Sequence, residues 1–502
     1  MKKIAAFVLL CMLIGIFLPQ VFQYFRPPTG TVYEFADGYI PDYYQYLSWI
    51  KSGMDGHVLL SSRYVNAPHP AALVHPLFSI TGNIAGFFLL SPPIAYLLLR
   101  LVALLIFFFT LYQFIKTLFP GIYDRIIGLL FILFGTGFET IPWSGHFSII
   151  SKYSLPPHHL LALAAWMGLL MVFAKRNITI SILLGWCLAL LNPSIFLFTL
   201  VFLTSGLILS FFFSPKLQAL NPKPFSPPLF VFLIGVSPVV FYNLYSIHTV
   251  PPWSIMYVRM LHFNPPTTFT SYLLSLGPFL VISLIGVWKL RKNLSFIHII
   301  LLSWAYLPIA LFPFVGIIPI NYSRLFQTYQ YIPITVLAVY GLHVFKKSIR
   351  TLLIVLLIFY GSIAYVATLQ PQLLPHDLSY YNVFVPKSLL AAFRFLDGLP
   401  TERIVVSGEY VSQMIPAFTK HRTLIGRDDI IVDYYPLRDR VFAFLDGRMT
   451  EEEARRFVEE QKVDYVIFGV DTKPLSDLPT KNYRFLVPVF TNGLVTVVQI
   501  KQ

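Results

Sequence analysis

Acidic side chains are nearly missing from the first three quarters of this chain. Residues 1–376 hold six, Glu34, Asp37, Asp42, Asp55, Asp124 and Glu139, while the other 17 of the 23 follow from Asp377 onward. Charge of either sign is scarce as well. Only 12% of the 502 residues are Asp, Glu, Lys or Arg, about half the share of an ordinary soluble domain, which excludes water as the main solvent for most of the chain. The two cysteines, Cys11 and Cys187, each lie inside an apolar run, so a disulfide framework and a cysteine-rich zinc pattern are both excluded. A P-loop, a glycine-rich dinucleotide turn and a Gly-x-Ser-x-Gly elbow are absent too, which removes the usual signals of a soluble nucleotide-binding or hydrolase fold. Neither an internal repeat nor a low-complexity stretch is visible.

Apolar side chains are what the chain has in abundance, 56% of its residues. Runs long enough to cross a bilayer as helices recur from Ile4 to about Leu369. We read about eleven spans, at 4–21, 93–116, 125–138, 157–174, 178–191, 194–213, 229–246, 271–288, 295–312, 329–345 and 350–369. The net charge of +14 does not trace a nucleic-acid surface. Lys and Arg gather at the ends of the apolar runs: Lys2-Lys3, Lys116 with Arg125, Lys175-Arg176, Lys216 with Lys223, Lys289 with Arg291 and Lys292, and Lys346-Lys347 with Arg350. All fall on one side if the N-terminus is cytoplasmic, which is the positive-inside pattern. The first span has a basic flank and no small-residue cleavage site, so it reads as an uncleaved anchor. The expectation is a polytopic α-helical protein of the plasma membrane, with residues 1–369 as the membrane domain and 23–92 as a long first outer loop. An odd number of spans puts the tail, 370–502, outside as an extracytoplasmic domain.

The tail reads as a small α/β domain. Arg403 to Ser407 and Val463 to Gly469 have strand character, and Phe485 to Ile500 reads as a closing hairpin around Asn492-Gly493. Thr450 to Gln461 is a helix opened by a Thr450–Glu453 capping box. Two charged runs, Arg427-Asp428-Asp429 and Glu451 to Glu453, read as solvated surface.

With this topology every acid before Asp377 except Asp124 lies outside, so the first outer loop must supply any carboxylate the membrane domain uses. Residues 43–52 carry helical periodicity with Tyr43, Tyr46, Leu47 and Ile50 on one face, and their Tyr and Trp content predicts an interfacial helix lying along the membrane. Asp42 would open it. Asp42 with Gln45 can equally be a helix cap, and Asp37-Gly38 and Asp55-Gly56 can be plain turn dipeptides.

The pattern Asp42-x-x-x-Tyr46, followed by Gly53-x-Asp55-Gly56-His57-Val58 and by Asn66-Ala-Pro68-His69-Pro70 and His75-Pro76-Leu77, resembles the GT-C class of integral membrane glycosyltransferases. In that class the first outer loop carries an acidic motif, commonly Asp-Glu-x-x-Tyr. Asp42 matches its Asp and Tyr46 its Tyr, whereas Tyr43 stands where Glu is common and Ala67 where many relatives have an acid. The resemblance implies a GT-C-like fold and transfer of a hexose or pentose from a polyprenyl-phosphate-linked donor, with inversion, at the outer face of the membrane. It implies Asp42 as the base, with Asp37 and Glu34 as reserves, and a glycan, lipid or protein as acceptor. Tyr46, His69 and His75 are the expected substrate-binding residues.

The leaving phosphate needs cations, best supplied as guanidinium forks. Outer-side candidates are Arg324, Arg259 and Arg63, which could also be anchors meeting ordinary lipid head-groups. His69 and His75 with an acid such as Asp37 could hold a divalent cation, Mg or Mn, as some relatives do; no metal ligand is assigned. The competing readings are a lipid or glycolipid transporter or flippase, for which Pro193 and Pro238 would be candidate helix breaks, and a catalytically inactive relative.

Overall fold

The computed structural model describes residues 2–36, 39–138, 155–213, 226–262, 267–291, 294–317, 321–373, 383–473 and 483–501. In chain order the elements begin with α1 (Lys2–Phe25), β1 (Thr31–Tyr33), α2 (Ile40–Met54), α3 (Pro76–Phe87), α4 (Pro92–Leu118) and α5 (Ile122–Phe134). Then come α6 (Pro157–Ala174), α7 (Ile178–Leu191), α8 (Pro193–Phe213), α9 (Ser226–Thr249), α10 (Trp253–His262) and α11 (Phe269–Leu290). After α12 (Phe296–Leu311), α13 (Tyr322–Phe326), α14 (Tyr331–Leu342) and α15 (Lys347–Leu373), the tail adds β2 (Phe384–Pro386), α16 (Lys387–Asp397), β3 (Val405–Val406) and α17 (Glu409–Phe418). It ends with α18 (Tyr434–Leu445), α19 (Glu451–Glu460), β4 (Tyr465–Phe468), β5 (Leu486–Asn492) and β6 (Val495–Ile500).

A helix occupies each of the expected spans. Eight of them (α1, α4, α6, α8, α9, α11, α12 and α15) are long and apolar enough to cross a membrane. The others, α5, α7 and α14, have 13, 14 and 12 residues, and at about 1.5 Å per residue they fall short of a bilayer's apolar thickness. Pro193 is the first residue of α8, and α9 runs on through Pro238. Neither proline therefore interrupts a helix.

The chain divides into two compact units. The first, Met1–Pro19, Leu101–Leu244 and Met260–Leu374, is a helical bundle. Its short helix α14 is buried along nearly its whole length because it packs at backbone distance on α11. A methyl group added at Gly286 would overlap the Leu337 carbonyl, and one at Gly341 would overlap that of Ile282. Small residues at helix contacts give membrane helices the close van der Waals packing that hydrophobicity alone does not supply between them.

The second unit is Gln20–Arg100, Tyr245–Arg259 and Pro375–Gln502, so the first outer loop folds with the tail instead of with the membrane helices. Strand β1 pairs antiparallel with β2, Val32 opposite Val385. The Tyr64 hydroxyl donates to the Gln413 carbonyl at 2.8 Å, and the Thr423 amide donates to the Arg63 carbonyl at 2.9 Å. At the centre is a sheet in the order β3-β4-β6-β5, with β3 and β4 parallel and the rest antiparallel. Alternation along its strands feeds two cores. Val405, Tyr465, Ile467 and Val497 join a cluster with α2, α16 and α17, while Val406, Val466, Phe468 and Val498 join one with α18 and α19. The expected elements are all present: the hairpin, with Gly493 at positive φ in its turn, and the α19 helix with its Thr450–Glu453 capping box.

The expected interfacial helix is instead a core helix. Tyr43, Tyr44, Tyr46, Leu47, Trp49 and Ile50 of α2 are all buried, because α3 covers one side of it and α17 another. Tyr46 stacks on Phe78 with centroids 4.6 Å apart, and Trp49 stacks on His75 at 5.0 Å. The α2–α3 crossing leaves no room for a side chain: a methyl group at Gly53 would strike the Ser79 carbonyl and one at Gly82 the Ile50 carbonyl. Gly82→Ala is therefore expected to destabilise the protein by about 1–3 kcal/mol, read as a lowered thermal transition of the detergent-solubilised chain. An unchanged transition would mean that this crossing is not held closed.

Candidate functional site

Helix α2 begins where Tyr39 takes an extended backbone as N-cap without side-chain capping, and Pro41 fits the first turn, where no amide partner is needed. Asp42 follows inside that first turn. It is not the cap that Asp42-x-x-Gln45 suggested. Its carboxylate, favoured at this end by the helix dipole, instead accepts a hydrogen bond through Oδ1 from Nη1 of Arg427 at 2.9 Å.

Arg427 had the look of a solvated surface residue, yet it is 5% exposed. Its Nε donates to Oδ1 of Asp429 at 2.9 Å and its Nη2 to Oδ2 at 2.6 Å, a bidentate pair. Burial works against the charge on Arg427, but Asp429 and Asp42 outweigh it and hold the guanidinium more firmly protonated than usual. One cation shared by two carboxylates leaves the cluster net negative. The Asp42 side chain remains 42% exposed, against 22% for Asp429.

The loop that delivers Arg427 is itself fixed. Ile425 and Ile430 are fully buried on either side of it. Gly426, at φ +118, lies so close to the Ser412–Gln413 backbone that a side chain would be both strained and crowded. Arg259 of α10 donates to the carbonyls of Asp428 and Val432, the latter at 2.7 Å. Sequence reasoning missed this loop. Its one signal was a charged triplet closely bracketed by apolar residues, Ile425 before and Ile430-Ile431 after, which is an odd setting for solvated surface.

The remaining expected site residues fall into four groups. Asp37 lies outside the described residues. Glu34 is half-buried, and burial raises its carboxyl to about 6, with Arg394 partly offsetting the effect. Arg63, Arg259, Tyr46, His69 and His75 are engaged within the second unit. Arg63 is buried, bonds Asp55 at 2.7 Å and reaches the Thr419 carbonyl at 3.3 Å. Burial alone would raise Asp55, but Arg63 and Lys51 reverse the sign and lower it. His69 Nε2 accepts from the Ser62 amide at 2.8 Å while Nδ1 lies 2.8 Å from the Ala67 carbonyl. Both its ring nitrogens are thus occupied, and the residue does not fit as a metal ligand. Among the described residues no group of three or more His, Cys, Asp or Glu is disposed to hold a metal ion.

Arg324 belongs to the first unit. Asn321 caps α13 by accepting from the Arg324 amide at 2.9 Å, and the guanidinium donates to Oε1 of Gln327 at 2.6 Å while remaining half-buried.

Arg63→Met separates a structural role from a ligand-binding one. Loss of a buried charged donor is expected to cost about 1–3 kcal/mol, seen as a lower thermal transition, with any binding of a polyprenyl phosphate by the solubilised protein unchanged. Weaker binding at an unchanged transition temperature would return Arg63 to the list of phosphate ligands.

No family model matches the chain, and no curated protein matches it by sequence. Solved structures match its fold over most of its length. The oligosaccharyltransferase of Archaeoglobus fulgidus superposes with a TM-score of 0.60 at 13% identity, covering 93% of this chain and 69% of that one. The arabinofuranosyltransferase AftD from Mycobacteria gives 0.53 at 11% identity, over 98% of this chain and 40% of its own. ArnT from Cupriavidus metallidurans, solved bound to undecaprenyl phosphate, gives 0.53 at 10% identity and 97% coverage of both chains. All three are GT-C glycosyltransferases. At these identities the likeness is one of fold, and the chain has the GT-C fold: a polytopic helical membrane protein with a small C-terminal sheet domain.

Proposed function

We propose that this protein is a membrane glycosyltransferase that moves a hexose or pentose from a polyprenyl-phosphate-linked donor to a glycan, lipid or protein acceptor, with Asp42 as the base. The observation that carries the reading is a half-exposed carboxylate in the first turn of a rigid, buried helix, held by a buried guanidinium, within a chain of GT-C fold. In the reaction, Asp42 accepts the hydrogen bond of the acceptor hydroxyl. It takes the proton as that oxygen attacks the anomeric carbon. The bond from that carbon to the phosphate oxygen breaks with its electron pair, polyprenyl phosphate departs, and attack from the opposite face inverts the configuration. Arg63 and Arg259 bond groups of the fold itself. The positive-inside pattern supports an outer-face reaction with the N-terminus cytoplasmic and the C-terminal domain extracytoplasmic.

The test uses the full chain in lipid nanodiscs, undecaprenyl phosphate carrying a radiolabelled hexose or pentose, and membrane-extract acceptors. Asp42→Asn is expected to lower transfer by roughly 10²–10⁴-fold, the usual contribution of a general base, with the protein still inserted and folded. Equal transfer by wild type and variant would sink the assignment of Asp42. The pH profile separates the reserve base: the base must be deprotonated, so activity falls as pH drops through its pKa. An acid limb near pH 6 that survives Asp42→Asn would point to Glu34, whose carboxyl burial raises to about 6.

A further inference from the structure

We propose that Arg427 is a positioning residue for Asp42, and that Asp429 is the counter-charge that lets it hold Asp42 without neutralising it. The inference rests on the reading of Asp42 as the base. Arg427 spends two donors on Asp429 and one on Asp42. The paired contacts to Asp429 fix the plane of the guanidinium, so its bond to Asp42 helps set where that carboxylate sits. That bond engages Oδ1, and the side chain stays 42% exposed.

The charge balance matters as much as the geometry. A buried arginine facing Asp42 alone would pull hard on its proton affinity and make it a weak base. Asp429, bonded bidentately to the same cation, takes up most of that charge. Tyr39, the N-cap of the same helix, is acted on by Asp42, Arg427, Asp428 and Asp429, and Arg427 by Asp429 and Asp42. Arg259 bears on the cluster through the backbone carbonyls of Asp428 and Val432. On this account the C-terminal domain supplies part of the working site, and the Arg-Asp-Asp run exists for it. The competing account is a simple clasp between the first outer loop and the tail, which would need the bonds but not this charge balance.

Two readouts on the full chain in nanodiscs distinguish them, using Arg427→Met, Arg427→Lys and Asp429→Asn. The first is the protonation midpoint of the Asp42 carboxylate, from infrared spectra differenced against Asp42→Asn. The second is the pH profile of kcat/KM with undecaprenyl-phosphate-linked sugar. Arg427→Met should raise the midpoint by about 1–3 pH units, the effect of losing an adjacent opposite charge. Asp429→Asn should lower it, and the acid limb of the profile should move with the midpoint in each case. Arg427→Lys keeps the charge but not the fork, so the midpoint should stay near wild type while kcat falls about 100-fold from misplacement with KM little changed. Asp429→Asn preserves shape and carries the test even if Arg427→Met folds poorly. Unmoved midpoints in both Asp429→Asn and Arg427→Met, at wild-type thermal stability, would leave only the clasp and overturn the proposal. Shifted midpoints without transfer by the wild type would uphold the coupling and sink the proposed activity instead.

Discussion

A guanidinium that is 5% exposed has lost most of its hydration, and its burial is tolerable only if carboxylates replace that water at hydrogen-bond distance. Arg427 obtains one carboxylate from its own loop and the other from a residue 385 positions earlier in the chain. The second unit depends on this constraint. Asp42 can meet Arg427 only if the first outer loop and the tail are folded together, and the rest of that unit serves the same end. The β1–β2 pair and the contacts of Arg63 and Tyr64 to the segment around Gln413 to Thr423 all close the same join.

Rigidity is the second theme. Helix α2 is clamped by α3 through a contact between glycine backbones and filled in by stacked Tyr46, Phe78, Trp49 and His75. Close-packed aromatics and backbone-to-backbone contacts leave little freedom for sliding or rolling. A carboxylate in the first turn of such a helix has a defined position before any ligand arrives, which spares the cost of orienting it during a reaction. Tyr46 and His75, expected to bind substrate, are part of that support through their stacking on Phe78 and Trp49.

The scarce acids of the first outer loop are also divided by environment. Asp55 is committed to Arg63 and Lys51. Glu34 is half-buried with its proton affinity raised. Asp42 alone of these three combines a buried cationic partner with a side chain as much as 42% exposed. Three carboxylates that are chemically alike on paper thus differ in partners and access, and the difference comes from their neighbours.

How much of this was legible follows from the range of each force. Helix positions, the capping box at Thr450, the β5–β6 hairpin and the sheet strands are set by hydropathy, backbone sterics and contacts a few residues apart, so they can be read directly from the chain. The candidate base was legible for another reason: acids are so rare before Asp377 that Asp42 stood out, and its surroundings resembled a known motif. The interfacial character expected for α2 failed because aromatic residues suit a membrane surface and a protein core equally well, and only α3 and α17 decide between them. Arg427 was read as surface because its partner in α2 is remote in sequence. The sequence by itself therefore determined the membrane helices, the elements of the tail and the candidate acid. Tertiary structure alone decided which charges are spent on the fold and which cation holds Asp42, because desolvation and ion pairing depend on distances in space that spacing along the chain does not encode.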